Sequence, residues 1–80
     1  MKLPRDISGR ELARALSRLG YEVSHQTGSH MRLTTRAEGE HHVTIPAHSQ
    51  LRVGTLSSIL REVELHHGLS REDLLTKLFG

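Results

Sequence analysis

Three short segments place an apolar or ring-bearing side chain at every second position: Tyr21 to Gln26, His30 to Arg36 and His41 to Ile45. Only Thr27-Gly28-Ser29 and Ala37-Glu38-Gly39 separate them. Connections this short join antiparallel neighbours, so the pattern predicts a three-stranded meander of two hairpins. A three-residue hairpin loop ends on a left-handed residue, a position that Gly39 suits; this sets Leu33 opposite Val43 and Met31 opposite Ile45. Apolar then meets apolar, as a one-sided sheet requires. The same frame on the first hairpin sets Val23 beside Leu33, Ser24 beside Arg32 and Gln26 beside His30. His25 is then expected on the packed face with Val23. The other face is polar and carries Glu22, Ser24, Gln26, His30, Arg32, Thr34, His42 and Thr44.

On either side of the meander the period changes from two to that of a helix. Ser8 followed by Glu11 forms a capping box, with Ile7 placed to staple onto Leu12, and predicts a helix from about Gly9 to Leu19, ended by Gly20. Leu12, Leu16 and Leu19 share one stripe; Arg10, Arg14 and Arg18 share the opposite one, a cationic face suited to solvent, RNA phosphate or a protein partner. After Pro46 an irregular stretch leads to a second helix, expected to be capped by Thr55, with Leu56, Ile59, Leu60 and Val63 on its inner face. Ser70 and Asp73 open a third, short helix carrying Leu74, Leu75 and Leu78. The order α-β-β-β-α with an extra C-terminal helix defines an α+β fold: one domain over residues 1–80, helices on one face of a three-stranded antiparallel sheet.

Composition then prunes the functions. The 80 residues include no cysteine, which removes disulfides, thiolate zinc sites and cysteine nucleophiles. There is no glycine-rich phosphate loop, GxSxG elbow or HExxH motif. No stretch is apolar enough for a signal peptide or a membrane span, so a soluble, cytoplasmic protein with no membrane partner is expected. His41 and His42 are strand neighbours and point to opposite faces, and His66 and His67 suit the negative end of the second helix. Neither pair predicts a metal site, and no cofactor is expected. Residues 1 to 36 hold seven Lys/Arg against three Asp/Glu, a balance that favours a polyanionic partner. With one Tyr and one Phe, the sheet lacks the stacking platform of single-strand RNA readers, whereas a module gripping phosphate and 2′-hydroxyls needs none.

His30 carries the sharpest chemical signal. It opens the second strand after Gly28-Ser29 and is aimed at the polar face beside Arg32. Phosphodiester transfer needs a proton carrier working near neutral pH and donors for the phosphate oxygens. The run Ile7-Ser8-Gly9, Leu16, Gly20-Tyr21, Gly28-Ser29-His30, Val43-Thr44-Ile45-Pro46-Ala47-His48 and Gly54-Thr55-Leu56-Ser57-Ser58-Ile59-Leu60 resembles the HicA toxins of HicA–HicB toxin–antitoxin modules, over about Leu3 to Leu75.

That resemblance implies a fold like the double-stranded-RNA-binding domain, endoribonuclease activity on messenger RNA, and a HicB-like antitoxin that masks the active face. It assigns the essential histidine to His30, while its Pro-x-His element falls on His48. On this reading His30 is a general acid or base, Arg32 or Lys2 stabilises phosphate charge, and Ser29 and Gln26 support the site. His48 is the first choice for the complementary proton role, and Arg10, Arg14 and Arg18 are candidates for RNA or antitoxin contact. Two alternatives stand beside it: a noncatalytic RNA-binding module on the same fold, and a protein-interaction domain.

Overall fold

The computed structural model describes residues 2–80. Its elements are α1 (Gly9–Leu16), a 3₁₀ turn (Ser17–Leu19), β1 (Glu22–Thr27), β2 (His30–Thr35), β3 (His41–Pro46), α2 (Val53–His67) and α3 (Arg71–Phe79). The sheet is antiparallel throughout, in the order β1-β2-β3. The α+β architecture read from the sequence is the one found.

The capping box forms as expected. The Glu11 N–H donates to Ser8 Oγ at 3.0 Å and the Ser8 N–H donates to Glu11 Oε1 at 2.9 Å. These bonds, the backbone one first, hold the Glu11 carboxyl below its ordinary pKa. The first helix stops being α-helical at Leu16 rather than Leu19, because the Ser17 hydroxyl donates back to the Arg14 carbonyl at 2.6 Å and the last turn tightens to 3₁₀. Gly20, at φ 84°, then reverses the chain. The second helix begins two residues before the expected cap. Leu51 is buried and its N–H donates to the Ile7 carbonyl at 2.8 Å, which fixes the chain just upstream; Arg52 becomes the N-cap and Thr55 lies inside the helix. Ser70 caps α3 as predicted, accepting from the Asp73 N–H at 3.1 Å.

The helices pack on one side of the sheet. Leu12 and Leu16 of α1, Leu56, Leu60 and Val63 of α2, and Leu74, Leu75 and Leu78 of α3 meet Met31, Leu33, Val43 and Ile45 in one core. Arg71 ties α3 to α2 through the Glu64 carboxylate and through Ser57, whose hydroxyl and carbonyl each accept at 3.3 Å. Strand β1 lies at the sheet margin beyond this cover. All six of its residues are exposed, and even Val23 keeps 49% of its surface.

The second hairpin has the expected register, Leu33 opposite Val43 and Met31 opposite Ile45. The first does not. Thr27 pairs with His30, so the loop is two residues, Gly28-Ser29, and the frame shifts by one: Gln26 opposes Met31 and His25 opposes Arg32. Val23 nonetheless still opposes Leu33, because the shift is absorbed by a β-bulge at Ser24. The Ser24 hydroxyl bridges the bulge, 3.2 Å from the Arg32 carbonyl and 2.7 Å from Thr34 Oγ1. This corrects two expectations: His25 belongs to the outer, polar face, and Gln26 faces the helix side, away from His30.

Candidate active site on the outer face of the sheet

His30 is the first residue of β2, paired with Thr27 on one side and Pro46 on the other, and its side chain is exposed. Its neighbour Met31 is buried in the core, so strand alternation holds the imidazole outward. Ser29 Oγ lies 3.0 Å from His30 Nδ1. When Nδ1–H donates to that oxygen, the unprotonated Nε2 is left facing solvent, the arrangement a general base needs.

Arg32 is two residues along the same face, exposed, opposite His25 and Thr44. No carboxylate pairs with it among the described residues, so its charge is available to a bound phosphate. The segment after β3 continues alongside the His30 loop. The Ala47 N–H donates to the Ser29 carbonyl at 2.9 Å, and the His48 carbonyl in turn accepts from the Gly9 N–H at 2.9 Å. The His48 side chain is exposed. The loop bearing His30 is thus pinned, through two backbone bonds, to the start of α1.

The other sequence candidates are placed apart from this group. Lys2 is exposed on the N-terminal segment, and among the described residues no hydrogen bond or ion pair joins it to the sheet face. Arg10 and Arg14 are exposed on α1. Arg18 donates to the Lys77 and Gly80 carbonyls at 3.2 and 3.4 Å, so it holds the C-terminal end of α3. The face around His30 instead includes two residues the sequence reading set elsewhere or passed over, His25 and Thr27. A signal for them exists: Gly-Ser is itself a two-residue hairpin dipeptide, and combining it with a fixed Val23–Leu33 pair demands one bulged residue.

A second histidine group occupies the opposite end of the sheet. The Tyr21 hydroxyl lies 2.8 Å from His41 Nδ1 and 3.2 Å from His67 Nε2. His66 stacks on His41, centroids 4.4 Å apart, and its Nε2–H points at the Ala37 and Gly39 carbonyls, 3.0 Å from each. No group of three ligating side chains able to hold a metal ion occurs among the described residues. The Tyr21 hydroxyl has one proton, so one imidazole accepts it and the other donates to its oxygen. Burial, reinforced by neighbouring imidazoles, lowers the pKa of both His41 and His67, with Glu62 and Glu38 respectively opposing, and burial pushes Tyr21 up to about 12.

These depressed values set a pH dependence. The unfolded chain binds more protons than the folded one once pH drops below about 6.5, so stability falls from there down through the lowered folded values. Thermal unfolding between pH 7.5 and 5 is expected to show a falling Tm. The slope should shrink in His41→Gln; an unchanged slope would assign the dependence to other groups.

An α-β-β-β-α core with one further C-terminal helix, and an outward imidazole and an arginine on the uncovered face of its sheet, defines a small α+β domain with an exposed polar face. Residues 9–65 match the family described as HicA toxin of bacterial toxin–antitoxin. The chain belongs to this family, the toxin side of toxin–antitoxin modules. Neither the curated proteins nor the solved structures gave a match. Among the described residues no helix is long and apolar enough to cross a membrane.

Proposed function

We propose that this chain is an endoribonuclease that cleaves messenger RNA in the cytoplasm without a metal or other cofactor, with His30 as the proton-transfer group. A HicB-like antitoxin would neutralise it by covering the same face. The observation carrying this reading is the exposed His30 ring, oriented through Nδ1 by Ser29, with Arg32 free beside it. RNA brings its own nucleophile: once the 2′-hydroxyl proton passes to Nε2, the 2′-oxygen attacks the adjacent phosphorus. Arg32 meets the negative charge that grows on the phosphate oxygens. The shallow, open setting accepts a polymer, and contacts to phosphate and ribose need no aromatic platform.

The test is cleavage of a single-stranded oligoribonucleotide by the purified chain in buffer containing a chelator. Expected products end in a 2′,3′-cyclic phosphate and a 5′-hydroxyl, and one 2′-deoxy substitution at the cut position should stop cleavage there. Cleavage of the deoxy substrate at an equal rate would refute the mechanism. Salt-sensitive binding without any cleavage would identify a noncatalytic RNA-binding module instead. Absence of both would leave a protein-interaction domain.

A further inference from the structure

We propose that His25 is the second proton-transfer residue of this face, the general acid to the His30 base. The proposal rests on the endoribonuclease reading and adds the group that protonates the leaving oxygen. The argument starts at the bulge. Ser24 and His25 together oppose the single residue Arg32, and the residue completing such a bulge stays on the face of its partner. His25 therefore shares the outer face with Arg32, and with Thr27 and His30 two pairs further along. His25 and His30 are diagonal neighbours, a relation that separates backbone positions by about 7–8 Å. In-line transfer puts each ring a hydrogen bond of about 3 Å from one of two oxygens on opposite sides of the phosphorus, a span of the same order that two imidazole side chains reach from such positions. Arg32 neighbours both, directly across from His25 and two residues along the strand from His30.

The remaining outer-face imidazole is already engaged. His42 has Nδ1 2.7 Å from Thr34 Oγ1 and Nε2 3.2 Å from the Glu40 carboxylate. His25 is exposed, and no hydrogen bond or ion pair involves its ring among the described residues. His48 lies two residues past the last ladder pair, His30–Pro46, on the segment alongside Ser29, and its carbonyl is held by the Gly9 N–H at the start of α1.

The step balances as an in-line transesterification. His30 Nε2 takes the 2′-hydroxyl proton, the bond from the 2′-oxygen to phosphorus forms, and the bond from phosphorus to the 5′-oxygen breaks. The protonated His25 gives its proton to that departing oxygen. The products are a 2′,3′-cyclic phosphate and a 5′-hydroxyl, and the two imidazoles exchange protonation states, to be reset through water. Neither an oxidant nor a bound nucleophile is consumed.

The deciding experiment measures single-turnover cleavage, at the protein's mapped cut site, of two oligoribonucleotides: ordinary RNA, and the same strand with sulfur replacing the 5′-bridging oxygen there. A thiolate departs without needing a proton. His25→Ala is expected to cut ordinary RNA about 10²-fold or more slowly and to return to within a few-fold of wild type on the sulfur substrate. His30→Ala should stay slow on both. An unchanged thermal midpoint in His25→Ala checks that the exposed strand still folds. Wild-type rates for His25→Ala on ordinary RNA, or no recovery on sulfur, would overturn this assignment alone, and recovery seen with His48→Ala instead would move the acid there. A wild-type protein that cuts neither substrate would overturn the endoribonuclease reading itself.

Discussion

His30→Ala is expected to slow RNA cleavage by about 10²–10⁴-fold, the usual contribution of a positioned acid or base. That range corresponds to about 2.7–5.5 kcal/mol of transition-state stabilisation. The loss should fall on the rate of the bound complex rather than on binding. Affinity for RNA is shared among phosphate contacts to cationic side chains, and a single imidazole adds little to it. The fold should be untouched, because the ring is solvent-exposed and its hydrogen bond is to the adjacent Ser29. The check is paired: single-turnover rates for activity, filter or fluorescence titration for binding. Cleavage by the alanine variant at the wild-type rate would remove His30 from the chemistry. Ser29→Ala should give a smaller loss, since the ring keeps its place on the strand and loses only its orienting partner.

Gly9→Ala is expected to cost more stability than any surface change, about 3 kcal/mol or more, which in a domain of this size lowers Tm by roughly 12 °C or more. Gly9 is not glycine for the sake of a left-handed turn; it is absent from the residues with positive φ. A Cβ built there would stand 2.0 Å from the Pro46 carbonyl oxygen and 3.1 Å from its carbon, and all of that is backbone, which cannot rotate aside. To admit a methyl group, α1 must retreat from the chain leaving β3. The Gly9–His48 backbone bond would break, and with it the brace that keeps residues 47 and 48 alongside Ser29. Activity should therefore fall together with stability. Gly28→Ala is the matched control, because its added Cβ meets nothing within 4 Å and no positive φ is required. Its stability should change by less than about 0.5 kcal/mol. Circular-dichroism melts of the two variants decide the matter, and a Gly9→Ala melt equal to wild type would show that the helix shifts without penalty.

How far the sequence could be read depended on whether a local pattern was closed or open. Ser8 and Glu11 satisfy each other, and Ser70 reaches Asp73, so those helix starts were decided by neighbouring side chains. Leu33 with Val43 and Met31 with Ile45 had a single frame in which apolar met apolar. The first hairpin had no such lock, since β1 lies outside the helical cover and its side chains are indifferent to which face they take. Nothing in the pattern of β1 therefore signals the two-residue turn and the bulge at Ser24, which together leave the Val23–Leu33 pair unchanged. Thr55 looked like a cap by composition, but Leu51, buried against the N-terminal segment, had already decided where the helix could start. Arg18 read as one of three equivalent arginines; its engagement with the end of α3 depends on a residue about sixty positions away. His41 and His67 are likewise brought to Tyr21, and His66 to His41, only by the tertiary fold.

The helix α3 lies wholly outside the segment that matches the toxin family, yet Leu74, Leu75 and Leu78 are almost completely removed from solvent against the same core. The edge of the likeness is therefore not the edge of the cooperative unit. A recombinant fragment trimmed at residue 65 would lay bare the leucines of α1 and α2 to water and to one another's copies, and would precipitate or stay molten while retaining every residue proposed for catalysis.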